Sequence, residues 1–430
     1  MAGHAACARR GRRPVRRAAR AIVPPVRGGS GALPTMPAME AYDVCVRGRG
    51  AVGQALALSL ARLGLRVALA GDRPQPVSGP DVRTYALGAR SVALLRQLRV
   101  WDALLDAVPA AATRVLDMQV QGDAGGSLEF SAWEQGVGEL AWIVDAAALE
   151  REFDAALRFA PHVTRVDAAV PAALMALCEG RDSATREALG VEDERVDYGQ
   201  QAIAARLGCD RPHHGTAWQW FRAPDVLALL PFDLPEPAAD AAEAGRSPPA
   251  SHPGGARGYG LVWSLPAARA QELLALDAAE FERVLYEATQ GSAGRLTLRG
   301  PRAAWPLRLA KATRWHGPGW VLLGDAAHVV HPLAGQGLNL GLADVDTLAG
   351  VLAERQREEP WRPLDDERLL ARYARRRAAP TWAMGRVTDG LLQLFSHPAA
   401  PLRELRNRGL DLVNHLPPLK RWLTDRALRG

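Results

Sequence analysis

Cysteine is scarce: the chain of 430 residues has four, Cys7, Cys45, Cys178 and Cys209. They are scattered, with no C-x-x-C pair, so neither a disulfide framework nor a structural zinc site is expected, and a reducing, cytoplasmic setting is. No apolar run approaches the roughly 20 residues that cross a bilayer as a helix. There is no Gly-x-Ser-x-Gly elbow and no P-loop, which removes the α/β-hydrolases and the P-loop nucleotide hydrolases. Lysine is nearly absent, standing only at 311 and 420, so the basic character is arginine's. Acidic residues are missing from the first 39 positions, which carry eight arginines; with these set aside, the net charge of +6 becomes about −2. The positive balance therefore belongs to one end of the chain and gives no reason to expect a nucleic-acid partner.

That end, residues 1–40, is rich in Ala, Arg, Gly and Pro and has too little apolar surface to order itself. It reads as a disordered leader or one that precedes the true start, with Met36 or Met39 as the first residue. An Arg-rich transit peptide is the other reading, which Pro14, Pro24 and Pro25 disfavour.

Ordered sequence begins with a strand–turn–helix–strand unit. Val44, Cys45 and Val46 are a short apolar run. Leu56, Leu60 and Leu63 follow at helical spacing, Gly64 stands at a helix end, and Val67–Leu69 is the next strand. Gly48, Gly50 and Gly53 have the G-x-G-x-x-G spacing of a dinucleotide turn. The first permits the turn, the second lets backbone approach a pyrophosphate, and the third lets helix pack on strand. The helix N-terminus, with Arg49 and Val52 in the turn, faces the phosphates. An acid for the adenosine ribose belongs about 20 residues on. Ala70 and Gly71 occupy that slot, so Asp72 is expected to substitute in part.

A second strand signal, Val321-Leu322-Leu323, delivers Asp325 to a strand's C-terminal end, where open α/β sheets bind ligands. Leu338, Leu342, Val345, Leu348 and Leu352 then mark an amphipathic helix. Here Gly324-Asp325-Ala326-Ala327-His328, Pro332, Gly335-Gln336-Gly337, Asn339, Gly341 and Asp344 follow the G-D-A-A-H-x-x-x-P-x-x-G-Q-G-x-N-x-G-x-x-D run of the class A flavoprotein hydroxylases. In particular the chain resembles the ubiquinone-biosynthesis hydroxylase family. Glu179-Gly180-Arg181-Asp182-Ser183-Ala184-Thr185-Arg186 resembles its D-G-x-x-S-x-x-R motif with Glu for Asp, and Asp81–Leu87 resembles a further segment. The likeness runs to Thr388–Leu391, Phe395 and Arg406–Leu410.

The resemblance implies an FAD enzyme. Asp325 would hold the ribityl chain, with Gly180 and Gly324 beside the cofactor. Arg83, Pro332, Gly335, Gln336, Gly337, Leu338 and the backbone at Asn339 would lie by the flavin ring. The fold class expected is α/β: a Rossmann-like FAD domain of the glutathione-reductase type, an antiparallel substrate-binding sheet, and C-terminal helices. The FAD domain is expected from 41–115, 145–190 and 300–375. The sheet domain is expected from 116–144 and 191–299, with a long loop at 234–257, and a helical region at 376–430. Candidate strands are Leu116–Gln121, Tyr198–Cys209, Thr216–Arg222, Leu227–Pro231 and Gly258–Ser264.

The activity implied is aromatic-ring hydroxylation with O2 and NAD(P)H. No second dinucleotide turn is present, so the nicotinamide is expected to dock transiently. A polyprenylated phenol is the substrate implied, with peripheral contact at a membrane surface or with a quinone-synthesis assembly. Two rivals remain: a flavin-dependent isoprenoid reductase, and a non-catalytic subunit of such an assembly. No acid–base pair is nominated, because the hard chemistry is the cofactor's. Asp325, His328 and His331 have D-x-x-H-x-x-H spacing, but the flavin reading accounts for the first two and no metal is expected. His213 and His214 read as a solvated turn. Trp218, Trp220 and Trp263 read as sheet core, with a substrate-lining role as the alternative.

Overall fold

Val44, Cys45 and Val46 are apolar on both faces, as a strand buried inside a parallel sheet must be, and in the computed structural model all three are fully buried. The structure describes residues 42–71, 81–107, 110–123, 125–234, 257–330 and 337–396, with residue 414. The strand Tyr42–Arg47 runs parallel to Val67–Ala70 on one side and to Ala172–Leu177 on the other. Val163–Val166 extends the first side in parallel. Trp320–Leu322 extends the second in parallel, and His316–Gly317 closes that edge antiparallel. Arg47 lies opposite both Ala70 and Leu177, and Leu177 lies opposite Leu322. The C-terminal ends of four parallel strands are therefore level, which is where such sheets bind ligands.

The helix Ala51–Ala61 covers the central strand, with Leu56 and Leu60 wholly buried. Gly64 ends it at φ +78°, and the Leu65 N–H reaches back to the Leu60 carbonyl, the left-handed stop the sequence called for. Leu149 and Phe153 of helix Ala146–Arg158 and Val345, Leu348 and Leu352 of helix Gly337–Glu358 complete the same core. Burying each such side chain stabilises the fold by about 1.5–3 kcal/mol.

A nine-stranded sheet stands beside this layer. Its order is His328–Val329, Ala303–Ala312, Asp193–Cys209, Gly258–Pro266, Asp225–Pro231, Thr216–Arg222, Asp117–Gln121 and Ser127–Ser131, with Leu296–Leu298 also on the long strand. Every pairing is antiparallel except that of Thr216–Arg222 with Asp117–Gln121. The period of two shows in the packing. Ile203, Ala205, Leu207, Trp220, Leu227, Leu261 and Trp263 face helices Ala267–Ala275 and Ala278–Thr289. Alternate positions face the other way, where a Cβ on Gly260 would strike Thr84. Thr84–Leu87, Ala141–Asp145 and Ala112–Val115 form a small antiparallel sheet there.

All five candidate strands are present, the long one starting earlier, at Asp193. Trp220 and Trp263 are sheet core. His213 departs from the solvated reading. It is buried, its Nδ1 accepts from the Gly215 N–H at 3.0 Å, and its Nε2 lies 3.0 Å from Asp233. Only His214, at φ +50°, is the exposed half of that turn. Most of the loop expected at 234–257 lies outside the described residues. The C-terminal helix begins at Glu367, before the region assigned to it, and runs to Ser396 with Pro380 inside.

Candidate functional site

Three turns meet at the level ends of the parallel strands. The first follows Arg47. Gly48 has φ +106°, and a Cβ there would collide with the Cys178 carbonyl. A Cβ on Gly53 would land on the carbonyl oxygen of Gly48. Both positions are thus closed to every other residue, as the tight turn at the first glycine and the helix packing at the third require. Gly50 caps the helix Ala51–Ala61 with extended backbone and no side chain over the end. The free N–H groups of that first turn and the helix dipole remain available to an anion. Gln54 fastens the turn by donating from Nε2 to the Arg49 carbonyl at 2.9 Å.

The middle turn follows Leu177. Glu179, the residue that departs from the motif, bridges two elements. It pairs with Arg47 Nε at 2.8 Å and accepts from the hydroxyls of Ser183 and Thr185 at 2.5 and 2.8 Å. The longer side chain therefore performs a definite positioning role. Gly180 takes φ +84°. Arg186 is buried; it donates to the Arg181 carbonyl and to the Ala326 carbonyl, each at 3.1 Å. That second bond joins the middle turn to the third.

The third turn is Gly324–Ala326, one turn of 3-10 helix after Trp320–Leu322. Gly324 has φ +59° and packs on Val52, and a Cβ on Gly341 would strike Val52 Cγ2 at 2.6 Å. Val52 belongs to the first turn, so the two distant motifs are in contact. Asp325 keeps accessible surface although protein crowds it on nearly every side. This crowding pushes its carboxyl up, and the charge of Asp344 adds to the effect, against the pull of His328 and Arg181.

Tyr85 is close enough for Asp325 to act on it. Burial pushes its phenol up to about 12; the Arg83 charge opposes this, and the carboxylates of Glu150, Asp81 and Asp325 add to it. It is therefore a neutral hydroxyl at physiological pH. Arg83 stands beside it, paired with Asp81 at 2.6 Å and with Glu150 at 3.4 Å. Its carbonyl accepts from Arg206 at 2.8 Å, and Arg206 also pairs with Asp145 at 2.7 Å.

A buried ion cluster braces the third turn from behind. Asp344 accepts from the Gly324 N–H at 2.9 Å, contacts His328 Nε2 at 2.7 Å and accepts from Arg377 Nε at 2.6 Å. Burial alone pushes its carboxyl up, but His328 and Arg377 together hold it below the usual carboxylate range. His328 thus serves the protein interior. Among the described residues no cluster of His, Cys, Asp or Glu is arranged to hold a metal ion, and His331 lies outside them. Tyr373 adds a bond from its hydroxyl to the Leu322 carbonyl at 2.9 Å.

Asn339 is buried and both ends of its amide are engaged within the protein. Oδ1 accepts from the Gly88 N–H at 3.0 Å and from Ser91 Oγ at 2.7 Å, and Nδ2 donates to the Ala86 carbonyl at 2.7 Å. Gly337 opens the helix Gly337–Glu358, and Leu338 packs on the core. Asp72, Pro332, Gly335 and Gln336 lie outside the described residues. Gly71 has φ +101°, a conformation that strains any residue with a Cβ. That accounts for the missing ribose acid at this position.

Sequence reading did not find Arg377, Tyr373 or the role of Asp344. The only available signal was Asp344 itself, an acid on the apolar side of a helix, since a buried carboxylate requires a partner. The glycine cradles, the open helix terminus and the Asp325 carboxylate are residues that fit an FAD at the strand ends.

The comparisons agree. A family model described as FAD binding domain matches residues 119–388. Ubiquinone hydroxylase UbiL of Rhodospirillum rubrum is 31% identical over 415 residues, 90% of this chain and 89% of the relative. The 3-demethoxyubiquinol 3-hydroxylase of Escherichia coli is 31% identical over 418 residues, 90% of this chain and 98% of the relative. Among solved structures, p-nitrophenol 4-monooxygenase of Pseudomonas putida superposes with a TM-score of 0.68 at 16% identity, over 91% of this chain and 98% of that one. The chain belongs to the FAD-dependent monooxygenases, in the family that contains these ubiquinone hydroxylases.

Proposed function

We propose that the chain hydroxylates the ring of a polyprenylated phenol in ubiquinone biosynthesis, working at a membrane surface. The observation that carries the site assignment is Val52 packed on Gly324 and against Gly341, which unites both ends of one FAD cradle. The substrate class rests on the similarity to proteins named as ubiquinone hydroxylases. Among the described residues no helix is long and apolar enough to cross a membrane, so the contact proposed is peripheral.

FAD, once reduced by NAD(P)H, supplies the chemistry that places one atom of O2 on an electron-rich ring. The protein's share is binding, orientation and exclusion of water. Gly48, Arg49, Gly50, Val52 and Gly53 present backbone to the pyrophosphate, and Asp72 is the nearest acid for the ribose. Gly180, Gly324 and Asp325 hold the ribityl chain, Asp325 as a hydrogen-bond acceptor. Arg83, Gly337, Leu338 and the Asn339 backbone would flank the ring, and the family motif assigns the same part to Pro332, Gly335 and Gln336. Tyr85 keeps its proton there and offers a donor. The cofactor lobe is residues 41–115, 145–190 and 300–375, and the substrate lies between it and the nine-stranded sheet.

The test is deletion of the coding gene and identification of the quinone precursor that accumulates. A prenylated ring lacking one hydroxyl supports the proposal. An unaltered quinone pool, or substrate turnover by the purified protein with no O2 consumed, contradicts it.

A further inference from the structure

The nine-stranded sheet has a cavity of about 290 Å³ on its helix-covered face, turned away from the cofactor turns. It opens between helix Ala278–Thr289 and the two-residue hairpin turn Ala223-Pro224. Trp220, Leu227, Trp263 and Val284 give it apolar walls, two of them indoles. Four charged side chains line it: Arg222, Asp225, Arg269 and Glu287. Arg269 Nε pairs with Asp225 at 3.2 Å, and Glu287 pairs with Arg283 at 2.6 Å. Each acid thus has an arginine partner other than Arg222, although one Asp225 oxygen is buried without a hydrogen bond.

Arg222 is different. It is half-buried and makes no hydrogen bond or ion pair among the described residues. A partly desolvated cation without a counter-ion is a cost the fold leaves uncompensated. A second polar group is unused beside it. The Trp263 indole N–H is buried without an acceptor; it lies near the Asp225 carboxyl, which is 8% exposed, but no hydrogen bond of full geometry closes between them. The cavity thus combines flat aromatic walls with one arginine that has no ion-pair partner among the described residues, and its size suits a single-ring ligand.

We propose that this cavity is a second ligand site, selective for a small aromatic monocarboxylate, with the carboxylate against Arg222 and the ring among Trp220, Leu227 and Val284. It is separate from the monooxygenase site and does not rest on the substrate assigned there.

Ligand-observed fluorine NMR of para-fluorobenzoate with the FAD-loaded full-length protein tests it. The wild type should broaden the resonance saturably while the visible flavin band stays unshifted. Arg222→Gln should weaken binding about tenfold or more, and Val284→Trp, which fills the cavity, should abolish it. Flavin content measured in parallel reports that each variant is folded. Absence of saturable broadening overturns the proposal. So does binding in both variants as tight as in the wild type, or binding that shifts the flavin band and survives Arg222→Gln, which would place the ligand at the cofactor.

Discussion

Gly53 has no room for a methyl group, because a Cβ would occupy the place of the Gly48 carbonyl oxygen. Gly53→Ala must push the helix Ala51–Ala61 off the turn, an overpacking error of about 1–3 kcal/mol. It should purify with most of its FAD lost, and the absorbance ratio of flavin to protein checks this. Asp325→Ala removes an ionised acceptor, so FAD should bind about tenfold to a hundredfold more weakly, measured by titrating apoprotein. The direction of the Asp325 shift also sets a pH dependence. Burial raises its carboxyl above the usual value, so it takes up a proton earlier on acidification than an exposed aspartate. Protonation removes an acceptor, and FAD affinity should fall as pH is lowered toward that raised pKa. Asp325→Asn should flatten this slope; a slope unchanged in the variant would assign it elsewhere.

At the scale of the element, the helix Glu367–Ser396 holds the third turn by Arg377 and Tyr373. Arg377→Met leaves the buried Asp344–His328 pair without its guanidinium and should cost about 3–5 kcal/mol, read as a lower Tm. Tyr373→Phe loses one neutral hydrogen bond and should cost about 1 kcal/mol. The Asp344 carboxyl is held below its usual pKa. The sign follows: its contribution is present above the unfolded carboxylate pKa and is lost as pH falls through the depressed folded value. Asp344→Asn should remove that acid-side loss of Tm. These elements also mark how far sequence could be read. Strands and helices with strong periodicity were legible, as were the glycine positions, because a backbone without room for Cβ leaves a mark at one residue. The bracing by Arg377 was not, because a partner 33 residues away in sequence leaves no local pattern in an arginine-rich helix. His213 was misread for the same reason: its partner Asp233 lies 20 residues on.

At the largest scale, the described residues from 42 onward form a parallel layer beside a large, mostly antiparallel sheet. The fold class was legible because apolar-on-both-faces strands and alternating strands have different periods. The family was legible from about twenty residues around Asp325. The account stands on three turns closing around a single FAD, and the amount of FAD held by the purified protein tests that most directly. It predicts about one FAD per chain, and near-complete loss in the double variant Gly53→Ala with Asp325→Ala while the circular dichroism of the fold persists. A chain that purifies colourless and takes up no added FAD, or a double variant that holds it as tightly as the wild type, would contradict it.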